Sequence, residues 1–219
     1  LTRVDGVFQI TEGRTGYELD VESSIDVVYD YLVNSWDGKD CRIKLNVVTQ
    51  QPRGTAADLA QVQDLLGSFT TDYSSSNGNR SGNVANGCSK INGTLLYPGE
   101  TFSCTDTVSP FTAANGYAMA GAYLNGKVVN SMGGGICQVS STLYNALLQL
   151  PGITILYRRP HGPSGAKYLP HGVDAAVGNS SLNLRFRNDY SFPIRIEGHT
   201  SYDGALLMVI YRVDDGENS

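Results

Sequence analysis

The sequence predicts an α+β fold: a mixed, largely antiparallel sheet domain built around one central helix, with a small α+β unit ahead of it. Three observations predict it. Short alternating apolar runs bounded by turn residues recur near both ends of the chain, at 7–10, 41–47, 182–186, 194–196 and 207–211. One strongly helical run follows the triplet Gly133-Gly134-Gly135, with Val139, Leu143, Ala146, Leu147 and Leu150 at three- and four-residue steps. Just before it, two strand-like runs flank Asn125-Gly126, a strong hairpin signal.

In chain order, residues 1–49 read as the small unit. Residues 7–10 alternate as a strand. Asp20 caps a helix over 21–32, on which Ile25, Val28 and Leu32 share a face. Asp37-Gly38 turns the chain, and 41–47 alternate again. Residues 50–219 read as the larger domain. Thr55 caps a helix over 56–66 with Leu59, Val62 and Leu66 inward, and the Ser-, Asn- and Gly-rich stretch 70–86 reads as a loop before a short helix over 85–91. Pro98-Gly99 turns into 100–103, read as scaffold, with Glu100 in a structural role. The hairpin over 122–129 delivers the chain into the glycine turn. Pro151-Gly152 stops the central helix, and 154–157 form a strand. The last three alternating runs, with turns at Asn188-Asp189 and Asp203-Gly204, read as an antiparallel meander closing the core. Residues 214–219 form a frayed acidic tail.

Composition narrows the function. With 219 residues, 41% of them apolar and 17% charged, the chain has the make-up of an ordinary globular protein. A net charge of -5 without a Lys/Arg cluster excludes a polyanion-binding surface, so nucleic acid is not an expected partner. No apolar run approaches the roughly 18 residues of a membrane span. The chain begins at Leu1 without a visible signal peptide, so an anchor or export signal is expected outside it. The cysteines are not in CxxC pairs and the histidines are not in HxxxH spacing. The glycine triplet lacks the Gly-Lys-Ser/Thr of a phosphate loop, so neither metal nor nucleotide cofactor is expected.

Cys137 sits where the glycine turn enters the central helix. Unpaired N–H groups and the positive end of the helix dipole favour a thiolate there. Ser141 and Tyr144, four and seven positions on, line the same face as the sulfur. A cysteine nucleophile needs a base, and histidine is the side chain whose unperturbed pKa lies nearest neutrality. There are three: His161, His171 and His199. The competing reading of Cys137 is a buried thiol packed as a small hydrophobe.

The run GGGICQVSSTLYNALL, with PGETFS before it and RRPHG and GVDAAV after it, closely resembles the VanW domain of bacterial cell-envelope proteins. The likeness extends from about Pro52 to about Ile196, in the same order and with similar spacing. It implies an extracytoplasmic cysteine L,D-transpeptidase that forms 3→3 cross-links between peptidoglycan stem peptides, without a cofactor. The family's nucleophile falls on Cys137. His161, in the segment matching R-x-x-H, is the first choice of base, and His171 ranks second. Asp174, matching G-x-DA, either orients the histidine as the third member of a triad or forms a turn after Gly172. Arg80 and Asn83 match a family Arg and Asn, and an arginine fork suits a stem-peptide carboxylate. The alternative for Arg80 is a solvated loop arginine. Further substrate-contact candidates are Gly134, Gly135, Gln138, Ser140, Ser141, Tyr144, Arg159 and His171. Backbone N–H groups from Gly135 to Gln138 are expected to hold an oxyanion. An L,D-carboxypeptidase and a non-catalytic wall-binding module are the alternatives.

Residues 1–49 resemble, by pattern, the tail of a peptidoglycan-binding domain that often precedes VanW domains; a plain structural extension is the other reading. Positions matching Cys88 and Cys104 are as a rule not cysteine in the family. Two such departures together, flanking the Asn92-Gly93 and Pro98-Gly99 turns, imply a Cys88–Cys104 disulfide. Closing a loop of about 15 residues would add roughly 3 kcal/mol in the chain-entropy treatment and imply an oxidising compartment. Two reduced core cysteines are the alternative, and Cys41 reads as a core or edge residue.

Overall fold

A computed structural model describes residues 2–4, 7–11, 13–52, 59, 64–124, 127–162, 166–179 and 181–212. The elements in chain order are β1 (Thr2–Val4), β2 (Val7–Gln9), β3 (Gly16–Leu19), α1 (Val21–Asn34), β4 (Val47–Gln50), β5 (Asp64–Asp72), α2 (Gly78–Ile91), β6 (Thr94–Leu96), β7 (Thr101–Ser103) and α3 (Cys104–Val108). A 3₁₀ turn (Ala113–Asn115) leads to β8 (Met119–Leu124), β9 (Lys127–Met132), α4 (Ile136–Leu147), β10 (Ile153–Arg158), β11 (Leu184–Asn188), β12 (Ile194–Thr200) and β13 (Ala205–Arg212). The fold is α+β, with antiparallel pairing throughout the described strands. Among the described residues no helix is long and apolar enough to cross a membrane.

The chain divides into two units, Ile10–Ala56 and Leu1–Gln9 with Ala57–Ser219. In the first, β3 pairs with β4 and α1 runs between them. Asp20 caps α1 by accepting from Ser23 N–H at 3.1 Å. The alternation over 41–47 does not form a strand before Val47, because Asn46 is tied to α1: its N–H donates to Ser24 Oγ at 3.1 Å and its side-chain amide to Ser23 Oγ at 3.1 Å. Cys41 is exposed, and so are Ile25 and Leu32 on α1.

In the second unit, β1 pairs with β2, and the principal sheet has the order β5-β13-β12-β6. Ile194, Ile196, Leu206, Met208 and Ile210 alternate along its two central strands and are fully buried. Helices α4 and α2 pack on this sheet, and Val139, Leu143, Ala146 and Leu147 supply the apolar face of α4. A second sheet has the order β10-β11-β7, and β8 and β9 form a separate hairpin.

Several expectations are corrected. The C-terminal runs do not form one meander. β11 pairs with β10 and β7, because buried Asn188 breaks the path towards β12, its side-chain amide donating to Leu96 O at 3.0 Å and Phe192 O at 2.9 Å. The stretch 70–86 is not a loop: β5 runs to Asp72, and α2 begins at Gly78 under an Asn77 cap that accepts from Arg80 N–H at 3.0 Å. Its composition is poor for a helix, but Asn83, Val84, Gly87, Cys88 and Ile91 make one buried face. Tertiary burial outweighs propensity there. Of the helix expected over 56–66, Leu59 is helical and buried, while Asp64–Leu66 belong to β5; the remainder lies outside the described residues. The Asn125-Gly126 turn and the acidic tail also lie outside them.

Cys88 and Cys104 are both free and buried, not bridged. They face different neighbours. The Cys88 sulfur fills the space above Gly198 of β12, 2.6 Å from where a Cβ would stand. Cys104 lies close enough to Cys137 and Tyr117 to be coupled to both electrostatically.

Candidate active site

The glycine triplet shapes the entry to α4. Gly134 lies so close to β8 that a Cβ would stand 2.3 Å from Ala120 O. Gly135 caps the helix at φ +107°, a conformation that disfavours a side chain. The turn is held by Asn83, whose amide nitrogen donates to Ala118 O and Gly134 O, both at 2.9 Å, while its carbonyl accepts from Ala118 N–H at 2.8 Å. Asn83 is 1% exposed, so it builds the turn and does not face a ligand.

Cys137 is the second residue of α4 and half-buried. Its thiol donates to Val177 O at 3.4 Å, and Val177 N–H lies 3.5 Å from the sulfur. Ile136 N–H and Gln138 N–H are taken by Gly133 O and Gly135 O. The N–H groups of Gly135 and Cys137 have no acceptor among the described residues.

His161 comes from the loop after β10. Asp174 accepts its backbone N–H at 2.8 Å and binds ring Nδ1 in a shorter contact. A carboxylate acceptor fixes Nδ1 as the protonated nitrogen and leaves Nε2 for the sulfur. The hydrogen bond to Cys137 is the main cause that pushes the His161 pKa up to about 9; burial opposes it, and the charges of Cys137 and Asp174 add to it. Burial would raise the Asp174 pKa, but the two His161 hydrogen bonds and the imidazolium charge outweigh it and hold the carboxyl below its usual range. His161 is therefore held by Asp174 on one side and interacts with Cys137 on the other.

The segment carrying Asp174 is fastened to α4 and β10. Ser140 Oγ donates to Ala175 O at 2.6 Å, and Ser141 Oγ accepts Ala175 N–H at 2.9 Å while donating to Cys137 O at 2.6 Å. Asn145 donates to Val173 O at 2.7 Å. Arg158 Nε donates to Asp174 O at 2.8 Å, with the guanidinium stacked over Tyr144 at 4.8 Å. Both serines are fully buried, so they position the site and do not reach a substrate.

Cys137, His161 and Val177 border a cleft of about 860 Å³, which Arg80, Gln138, Gly134 and Gly135 also line. Arg80 is anchored at one edge by Ser76 and by Gln138 Oε1 at 2.8 Å. Gln138 is itself held by Thr71 and Asp72. Tyr144, Arg159 and His171 do not line the cleft; Arg159 and His171 are exposed. His199 lies on β12, 3.4 Å from Glu197.

Sequence reasoning passed over three contributors. Tyr168 places its hydroxyl 3.4 Å from Ser141 Oγ, and burial, followed by the nearby Cys137 charge, raises its pKa. Tyr123 sets its ring edge-on to His161 at 6.2 Å between centroids. Lys167 lines the cleft beside them. Tyr123 lies in a hairpin strand recognised from its pattern, but no local signal points its ring at His161. Among the described residues no group of three His, Cys, Asp or Glu side chains is arranged to hold a metal.

This chain belongs to the family described as VanW like protein, which it matches over residues 79–211. It is 33% identical over 205 residues to the uncharacterized protein YoaR of Bacillus subtilis, covering 94% of this chain and 66% of that protein. It is 35% identical over 106 residues to the vancomycin B-type resistance protein VanW of Enterococcus faecalis, covering 45% of this chain and 37% of that protein. The chain thus spans only part of these relatives. No solved structure matches it.

Proposed function

We propose that this chain is the catalytic part of an extracytoplasmic cell-envelope L,D-transpeptidase that joins peptidoglycan stem peptides through a cysteine thioester. The observation that carries this reading is that Cys137 and His161 line one cleft while buried Asp174 holds the imidazole from behind. Cys137 Sγ, its proton already held by His161, attacks the carbonyl between the third residue and the terminal D-Ala of a donor tetrapeptide. The tetrahedral oxyanion takes hydrogen bonds from the free N–H groups of Gly135 and Cys137, each donor of this kind being worth about 3 kcal/mol. Collapse breaks the C–N bond, and His161 gives its proton to the leaving D-Ala amine. An amine on the third residue of a neighbouring stem then attacks the thioester, loses a proton to His161 and releases Cys137. Arg80, fixed through Gln138, offers its guanidinium to the carboxylate of the donor. Residues 1–49 are read as the end of a wall-binding domain, by pattern alone.

The test is incubation with purified disaccharide-tetrapeptide, comparing native protein with Cys137→Ala by mass spectrometry. Release of D-Ala with a 3→3 dimer, both absent from the variant, is the expected result. D-Ala release without a dimer would make the protein a carboxypeptidase. Binding of the muropeptide by both proteins with no product would leave a wall-binding module and end the catalytic reading.

A further inference from the structure

A second hollow, of about 440 Å³, lies beside the cleft, and Tyr73 lines both. One wall is the start of α2, at Ser81 and Gly82; the other is the β12–β13 turn, from Thr200 to Gly204. The turn is docked firmly on the segment after β5. Tyr73 N–H donates to Gly204 O at 2.7 Å and the Tyr73 hydroxyl to Ser201 O at 3.3 Å. A Cβ on Gly204 would stand 2.4 Å from Ser74 Cα. The hollow is therefore formed by backbone held in place.

Its chemistry differs from that of the cleft. Tyr202 is wholly exposed, at 109% of its reference surface. The hydroxyls of Ser81, Thr200 and Tyr202 and the second carboxylate oxygen of Asp203 have no partner among the described residues. Among the described residues no Lys, Arg or His borders the hollow. A wall with one carboxylate and no cation disfavours anions, and free hydroxyls disfavour a purely apolar ligand. A sugar fits both conditions. Its C–H face stacks on an exposed aromatic ring, and its hydroxyls exchange hydrogen bonds with hydroxyls and a carboxylate.

We infer that this hollow binds a neutral glycan, and that the glycan is the sugar chain bearing the stem peptide held in the adjoining cleft. The identity of the sugar rests on the transpeptidase reading; the sugar-binding chemistry does not. The experiment is titration of isotope-labelled protein with a peptide-free β-1,4-linked N-acetylglucosamine tetrasaccharide, followed by NMR. Saturable shifts should cluster at 73–74, 81–85 and 200–204, and Tyr202→Ala should weaken binding about tenfold or more. Gly82→Leu gives an independent arm. A Cβ at Gly82 meets nothing within 4 Å, so the larger side chain occupies the hollow without disturbing the helix, and binding should vanish while the spectrum stays native-like. No saturable shift, shifts on another surface, or native affinity in Gly82→Leu would overturn the inference. Because the probe carries no peptide, failure of D-Ala release leaves this result untouched, and the reverse also holds.

Discussion

Asp174 makes two hydrogen bonds to the same residue, accepting both the backbone N–H and the ring N–H of His161. It therefore fixes where the imidazole stands and which nitrogen faces Cys137. Asp174→Asn should slow the proposed D-Ala release by roughly 10²–10⁴-fold with little change in overall structure. His161, raised chiefly by its hydrogen bond to Cys137, and Asp174 also carry a pH signature. The His161 pKa is raised from 6.5 to about 9, so its stabilisation is complete below about pH 6.5 and is lost as pH rises through about 9. The Asp174 pKa is lowered from 3.8, so its stabilisation is present above about pH 4 and is lost as pH falls through the folded value. The Tm difference between native protein and His161→Gln should be largest between about pH 4 and 6.5 and shrink on both sides. A difference that stays flat from pH 4 to 9 would contradict this account of the pair.

At the scale of the elements, the turn into α4 depends on Asn83 and on a missing Cβ at Gly134. Asn83→Ala leaves the Ala118 N–H and the Gly134 carbonyl without a partner, while Ala118 O keeps Gly133 N–H. It should cost on the order of 1–3 kcal/mol, read as a Tm lower by several degrees. Gly134→Ala forces a Cβ against Ala120 O and should cost a similar amount through overpacking. Gly82→Ala is the contrast. It sits in open space on α2, and replacing a helical glycine should raise stability by about 0.5–1 kcal/mol. Equal effects of the two glycine variants in thermal unfolding would show that the tight approach at Gly134 is not what holds the turn.

Across the whole molecule, the four cysteines fall into distinct environments. Cys41 is exposed and Cys137 half-buried at the cleft, whereas burial pushes the Cys88 pKa up to about 12 and raises that of Cys104 as well. A colorimetric thiol assay should find four thiols in denaturant without reductant, and native protein should leave Cys88 and Cys104 unlabelled. Two missing thiols in denaturant would restore the bridge. Two sheets and a hairpin surround α4 instead of one continuous meander. Each carries a separate part of the site: β8–β9 presses on the glycine turn, β10 leads to His161, and the principal sheet supports α4 from beneath.

Local chemistry was enough for part of this picture. The α+β class, the α4 periodicity, the Asp20 cap and the strands on either side of Asn125-Gly126 are all readable along the chain, because caps, turns and apolar spacing act over a few residues. Naming Cys137, His161 and Asp174 as candidates depended on residue types and on motif likeness. What only the tertiary structure decided is how those residues are used. Asn83, Ser140 and Ser141 read as ligand contacts, yet burial commits them to holding the turn and the 173–177 segment. The weak helix former Gly78–Ile91 becomes a helix because one face is covered by the sheet. Tyr123 meets His161, and Tyr168 comes near Cys137, from stretches that carry no local mark of it. Short-range signals specify elements, but side-chain roles are set by which elements meet, and that depends on burial across the whole fold.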